Sequence, residues 1–184
     1  KAQEAIEAAR MIAQREADIR GSLASYIWGV DSDTLESIIA DLLETKKNSL
    51  ATMESCTDGL LSSIIASGSG SAAYFKGGLV AYCDEAKVAS GIDTHLMECY
   101  GKESSQVAEA MAEVVRRNLK ADIGVGIAGT MNFGEKPGNI FIGLLGNKFK
   151  RTIARTFFGN RLRVKQRAVY TALFELRRTL LKEV

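Results

Sequence analysis

The sequence predicts an α/β fold: a three-layer α/β/α domain with a mixed sheet, preceded by an N-terminal helical segment. Three observations carry that expectation. Short apolar runs of strand character alternate with amphipathic helical stretches, the pattern of layered α/β domains. Three runs, "DIGVGIAG", "NIFIGLLG" and "KFKRTIARTFF", follow one another with no helix between them, so part of the sheet is antiparallel. The length of 184 residues suits one medium domain with a flanking piece. We expect residues 1–30 to be a helix and linker of a longer protein, since the chain opens on Lys1 rather than Met, and residues 31–184 to be the domain.

The elements follow in order. Residues 2 to about 26 are rich in Ala, Glu and Arg, with Ile6, Ala9, Ile12 and Ala13 as a weak apolar stripe, which predicts a helix that packs on a missing part of a longer protein or on a partner. In "GVDSDTLESIIADLLE", Asp33 and Glu36 have capping-box spacing, and Leu35, Ile38, Ile39, Leu42 and Leu43 share a face. "SLATMES" predicts a strand and Cys56–Ile65 the next helix, followed by a loop in "ASGSGSAAY". "FKGGLVAY" predicts a strand with a glycine pair, and "DEAKVASG" a short helix closed by Gly91. "SSQVAEAMAEVVRRNLKA" has Val107, Met111, Val114, Val115 and Leu119 at helical spacing. The three consecutive strands come next, the first two joined by the loop "TMNFGEKPG" with Pro137. From about Arg161 a long helix buries Val164, Ala168, Leu173, Leu176 and Leu180.

Composition removes several function classes. No apolar run reaches the roughly 20 residues of a membrane span, and the charged N-terminus lacks the apolar centre of a signal peptide. Cys56, Cys83 and Cys99 are odd in number and have no CxxC spacing, which argues against a disulfide framework or a zinc site and for a reducing, cytoplasmic setting. A single histidine, His95, excludes a His-rich metal site and is read as a surface residue. No cofactor or metal is expected. The net charge of +2 hides an asymmetry, because eleven of the 24 Lys/Arg but two of the 22 Asp/Glu lie from Lys148 onward. Such a basic end signals an anion site or a nucleic-acid surface. With few aromatics available for stacking, we favour a solvated face plus one anion site, and nucleic acid is not an expected partner.

One stretch raises a chemical question. In "MESCTDGLL", Ser55 stands where an apolar strand turns into a helix. It is a helix cap or a nucleophile in the field of the helix N–H groups. A nucleophile needs a base, which with His95 set aside must be Lys, Tyr or a carboxylate. "GGLVAYCDEAK" supplies Tyr82 and Lys87 after another strand, and strand ends in an open α/β sheet share one crevice.

"ATMESCTDGLLSS", "FKGGLVAYCDEAKV", "SSQVAEAMAE", "GIAG…EKPGNIFIGL" and "FFGNRLRVKQRAVYTAL" stand in the order and spacing of the C-terminal domain of the CinA family. These are the competence/damage-inducible proteins, related to stand-alone nicotinamide mononucleotide deamidases, and the resemblance covers about Leu50–Leu180. It implies a metal-independent amidohydrolase that turns nicotinamide mononucleotide into nicotinic acid mononucleotide and ammonia. Ser55 matches the serine of the family's ESCTGG motif, the nucleophile. Tyr82 and Lys87 match the tyrosine and lysine of VAYxNxxK, the base and proton relay. The N–H groups of Cys56 and Thr57 are then expected to hold the oxyanion, and Arg161 and Arg163 the substrate phosphate. The "GIAG" loop with its neighbour (Gly126, Ala128, Gly129 and Thr130) is expected to line the pocket. The resemblance also implies a homodimer or larger homo-oligomer.

Two departures stand out. ESCTGG reads Glu54-Ser55-Cys56-Thr57-Asp58-Gly59, and TGxAGPxGG reads Val125 to Phe133 without its threonine, proline and glycine pair. They keep open an alternative, a nucleotide-binding or protein-interaction module without turnover.

Overall fold

A computed structural model of the chain describes residues 2–24, 26–131 and 138–182. The chain divides into two compact units, Lys1–Asp33 and Thr34–Val184. In the first, helix α1 (Ala2–Leu23) leaves Ile6, Met11, Ile12 and Ile19 exposed and carries the ion pairs Arg15–Asp18 and Arg20–Glu16.

The second unit runs α2 (Leu35–Lys46), β1 (Leu50–Glu54), α3 (Leu60–Ser67), β2 (Phe75–Val80), α4 (Asp84–Ser90), α5 (Thr94–Tyr100), α6 (Ser105–Asn118), β3 (Ile123–Gly129), β4 (Gly138–Leu145), β5 (Lys150–Phe157) and α7 (Arg161–Lys182). Among the described residues the strands form one sheet in the order β2-β1-β3-β4-β5. β1 is parallel to both β2 and β3, and β4 and β5 are antiparallel additions. This is the expected mixed sheet, covered by helices on both faces.

Strand alternation sorts the two faces. Leu50, Ile123, Val125, Ile127, Ile140 and Ile142 join a core with α2, α3 and α7. Ala51, Met53 and Ala128 join a second core with α5 and α6. The β1 ladder continues one residue past the strand, Ser55 N–H donating to Ile127 O at 2.9 Å. By this alternation Ser55 belongs to the α6 face.

Three local expectations are corrected. The α2 capping box uses Thr34 and Ser37, because the Asp33 carboxylate turns back to accept Val30 N–H at 2.9 Å. α3 begins at Leu60 rather than Cys56, since Asp58 (φ 54°) and Gly59 (φ 85°) are left-handed and residues 56–59 make a turn. The "GIAG" segment is strand, not loop: residues 126–129 close β3. Its glycines serve packing, because a Cβ on Gly126 would lie 2.1 Å from the Ala108 carbonyl oxygen of α6, and one on Gly124 2.0 Å from that of Ala112.

Candidate active site

The C-terminal ends of β1, β2 and β3 gather the candidate residues at one edge of the sheet. Ala81 N–H donates to Glu54 O at 2.7 Å, so Ser55 and Tyr82 leave adjacent parallel strands side by side. Ser55 is 5% exposed and Tyr82 58%. Lys87, one turn into α4, is 2% exposed. A buried amine must be paired or neutral, and this one is paired. Its Nζ donates to Asp84 Oδ1 at 3.4 Å and to the Lys102 main-chain oxygen at 3.3 Å. Among the described residues neither Lys87 nor Tyr82 hydrogen-bonds the Ser55 hydroxyl. Catalytic hydrogen bonds often tighten only when substrate is bound.

The turn after Ser55 is built by its backbone. Asp58 N–H closes on Ser55 O at 3.2 Å and Leu60 N–H on Thr57 O at 3.0 Å. Among the described residues no carbonyl accepts the Thr57 N–H. Thr57 is 1% exposed, and its hydroxyl is buried without a hydrogen-bond partner. Such an unmet group costs on the order of 1–3 kcal/mol, and a ligand oxygen or nitrogen would relieve that cost. The first N–H groups of α3 are not free for a ligand, contrary to the expectation of a helix field at Ser55. The buried Glu54 carboxylate takes Leu61 N–H (3.0 Å), Ser62 N–H (2.8 Å) and the Ser62 hydroxyl (2.6 Å). The Cys56 thiol is pushed up to about 12 by burial, which leaves it protonated and no rival to Ser55 as nucleophile.

Arg161, the first residue of α7, reaches the rim. Its guanidinium donates to Tyr82 Oη at 3.1 Å and Asp58 Oδ2 at 3.3 Å, and lies 5.9 Å from the Tyr82 ring centre. Lys165, one turn later, also pairs with Asp58. Arg163 does not join this group: its side chain is exposed, and its N–H is capped by Asn160 Oδ1 at 2.9 Å. Nor do the four expected pocket residues assemble as a loop. Gly126 lies under α6, Ala128 is fully buried in the second core, and Gly129 packs on β4, where a Cβ would meet Asn139 O at 2.4 Å. Thr130 stands just past the strand, its N–H donating to Asn139 O at 2.9 Å. The remainder of that loop, Asn132–Pro137, lies outside the described residues.

Residue-level reading of the sequence missed Glu54, Asp84, Lys102 and Lys165. Glu54 had a signal, a lone charge ending an apolar strand. The others are ordinary surface residues in sequence, and only tertiary structure joins them to the site.

Comparison with known proteins fits this geometry. The profile of the CinA C-terminal domain family matches residues 32–180. A Moorella thermoacetica protein under a competence-damage inducible name is 39% identical over 181 residues, covering 95% of this chain and 44% of its own length. A CinA-like protein of Dictyoglomus thermophilum is 38% identical over 181 residues, with coverage of 95% and 44%. The chain thus spans less than half the length of these curated relatives. The crystal structure of a competence or damage-inducible protein from Enterobacter asburiae aligns with a TM-score of 0.76 and 28% identity, covering 79% of this chain and 96% of that one.

Proposed function

Since this chain belongs to the CinA family through its C-terminal-type domain, we propose that its strand-end site is a serine amidohydrolase site. The reaction is deamidation of a pyridine mononucleotide: nicotinamide mononucleotide and water give nicotinic acid mononucleotide and ammonia. The observation that carries the reading is the burial of Ser55, just past β1, and of the Lys87 amine, on the helix that follows the neighbouring parallel strand β2, together with a buried Thr57 hydroxyl with no partner.

With the Lys87 amine in its neutral form, Ser55 Oγ attacks the carboxamide carbon while its proton passes to that amine. The carbonyl becomes an oxyanion, facing the N–H groups of Cys56 and Thr57 and the Thr57 hydroxyl. Collapse breaks the C–N bond, and the proton held by Lys87 goes to the departing nitrogen, so that ammonia leaves rather than an amide anion. Water, activated by the same amine, then attacks the acyl-serine ester and restores Ser55. Tyr82, at the mouth and held by Arg161, relays protons and orients the ring. Arg161 faces the phosphate, with Lys165 a more apt second cation than Arg163. Cytoplasmic location and self-association belong to the same proposal.

Purified protein is expected to release ammonia from nicotinamide mononucleotide, and Ser55→Ala to lower kcat at least a thousandfold. Full turnover in that variant would remove Ser55 from the chemistry. A second reading, mononucleotide binding without turnover, is favoured by one observation: the Asp58 carboxylate occupies both Arg161 and Lys165. Calorimetry showing saturable mononucleotide binding, with no ammonia formed, would select it.

A further inference from the structure

The two acceptors of the Lys87 amine belong to residues that also hold each other. Asp84 Oδ1 takes Lys87 Nζ at 3.4 Å, while Asp84 Oδ2 is paired with Lys102 Nζ. Lys102 in turn supplies, through its main-chain oxygen, the second acceptor for Lys87 at 3.3 Å. One carboxylate therefore divides its charge between a buried ammonium, 2% exposed, and an outer one, 63% exposed. An ammonium has three donors. Two are directed here, which leaves the third for a hydroxyl or a substrate.

We infer that Asp84 and Lys102 form a charge-sharing clamp that positions the Lys87 amine and sets how tightly it keeps its proton. Asp84 is a positioning residue, not a catalytic one. The inference rests on the reading of Ser55 and Lys87 as nucleophile and base. The charged groups around the clamp are Asp84 and Glu85 from α4 and Lys102 and Glu103 from the α5–α6 connection. Across the β1 end, the Glu54 carboxylate is committed to α3. Tyr82 and Arg161 face each other at the mouth. The hydrogen bond from Lys102 holds the Asp84 carboxyl below the usual aspartate range, so the carboxylate is charged throughout the working pH range.

The clamp makes two opposite demands. Asp84→Asn keeps an oxygen acceptor but removes the negative charge while the Lys102 cation stays, and the neutral amine gains. Lys102→Met removes the outer cation and leaves the whole Asp84 charge to Lys87, and the ammonium gains. The rising limb of kcat/KM against pH for ammonia release should therefore move down by about one pH unit in Asp84→Asn and up by about one in Lys102→Met, each a tenfold change at fixed pH on the limb. An aspartate that merely suits the first turn of α4 would lower thermal stability and leave the limb in place.

A readout independent of turnover accompanies the kinetics. In protein carrying 13C-labelled lysine, the Lys87 Cε resonance, assigned by its loss in Lys87→Arg, is followed against pH in the parent and both variants. Opposite displacements in the two variants support the clamp. If they occur in a protein that releases no ammonia, the clamp stands and the amidase reading fails. No displacement, or displacement in one direction only, overturns the clamp whatever the turnover. Should Asp84→Asn not fold, Lys102→Met alone decides, and only an upward displacement supports the inference.

Discussion

Asp58 combines a backbone conformation and a charge that pull in opposite directions. Its φ of 54° is the left-handed region, which costs a side-chain-bearing residue on the order of 1–2 kcal/mol, Asp somewhat less than most, and glycine nothing. In return its carboxylate meets Arg161 and Lys165, pairs at the rim that contribute on the order of 0–1 kcal/mol each. These terms nearly offset, so Asp58→Gly should leave the melting temperature within a few degrees. The effect on binding is larger, because a substrate phosphate must displace this resident carboxylate. We expect Asp58→Gly to lower KM for the mononucleotide about tenfold, roughly 1.4 kcal/mol, and to leave KM for the corresponding nucleoside unchanged. Steady-state kinetics with the two substrates checks this, and an equal change for both would show that Asp58 does not read the phosphate. The charge itself was visible in "SCTDG"; its partner was not. Lys165 lies 107 residues away, and no local pattern in a basic helix marks which cation turns toward the site. Strand-end placement made Ser55 and Lys87 weak candidates, and their order and spacing with other motifs strengthened them, since a serine after a strand and a lysine on a short helix each have ordinary structural roles.

The elements were legible wherever periodicity was strong, as in α6 and α7, whose expected inward residues Val107, Met111, Val114, Val115, Val164, Ala168, Leu173, Leu176 and Leu180 are buried, while Leu119, also expected inward, is half-buried at the α6 C-cap. Boundaries failed where a side chain chose a non-local or less obvious partner. Asp33 preferred Val30 N–H to capping, and Glu54 capped α3 from the preceding strand. The glycines of β3 were read for ligand approach when the helix above them needs their lack of a side chain. One element junction carries a quantitative expectation. Asp122, just before β3, accepts the Ser49 hydroxyl at 2.6 Å and Ser49 N–H at 2.8 Å, tying the starts of β1 and β3. The Ser49 hydroxyl, then its N–H, hold the Asp122 carboxyl below its ordinary 3.8. A carboxyl depressed in the folded state stabilises the fold above the unfolded value and loses that contribution as pH falls through the folded one. Asp122→Ala should therefore cost about 1–2 kcal/mol at pH 7, and the gap to the parent should shrink steadily below about pH 3.8. Urea unfolding at pH 7, 4 and 2.5 measures this, and a gap that stays constant with pH would assign the loss to packing instead of charge.

At the scale of the molecule, part of the basic tail resolves into internal pairs. Lys150 meets Glu109 at 2.5 Å, Arg151 and Arg178 meet Glu175 at 3.0 and 3.2 Å, Arg161 and Lys165 share Asp58, and Arg167 donates to Phe158 O at 3.1 Å. Part of the charge imbalance along the chain is thus met in space, five of these cations sharing the carboxylates of Glu109, Glu175 and Asp58. The protein should not be retained by duplex DNA at about 0.15 M salt. Retention in a mobility-shift assay that weakens steeply as salt is raised would restore the tail as a nucleic-acid surface. The same long-range closure that cancels charge also governs how the molecule comes into being. β3, β4 and β5 pair with their chain neighbours, whereas β1 must find β3 across a span of 73 residues. Closing a long loop is entropically slower than forming a hairpin, so we expect the antiparallel meander to nucleate folding and the parallel half to dock onto it afterwards. The prospective nucleophile and its amine ride on that late-arriving half. On the proposed reading, a nascent chain emerging from the ribosome would carry no competent centre until β3 has been made and β1 has returned to it.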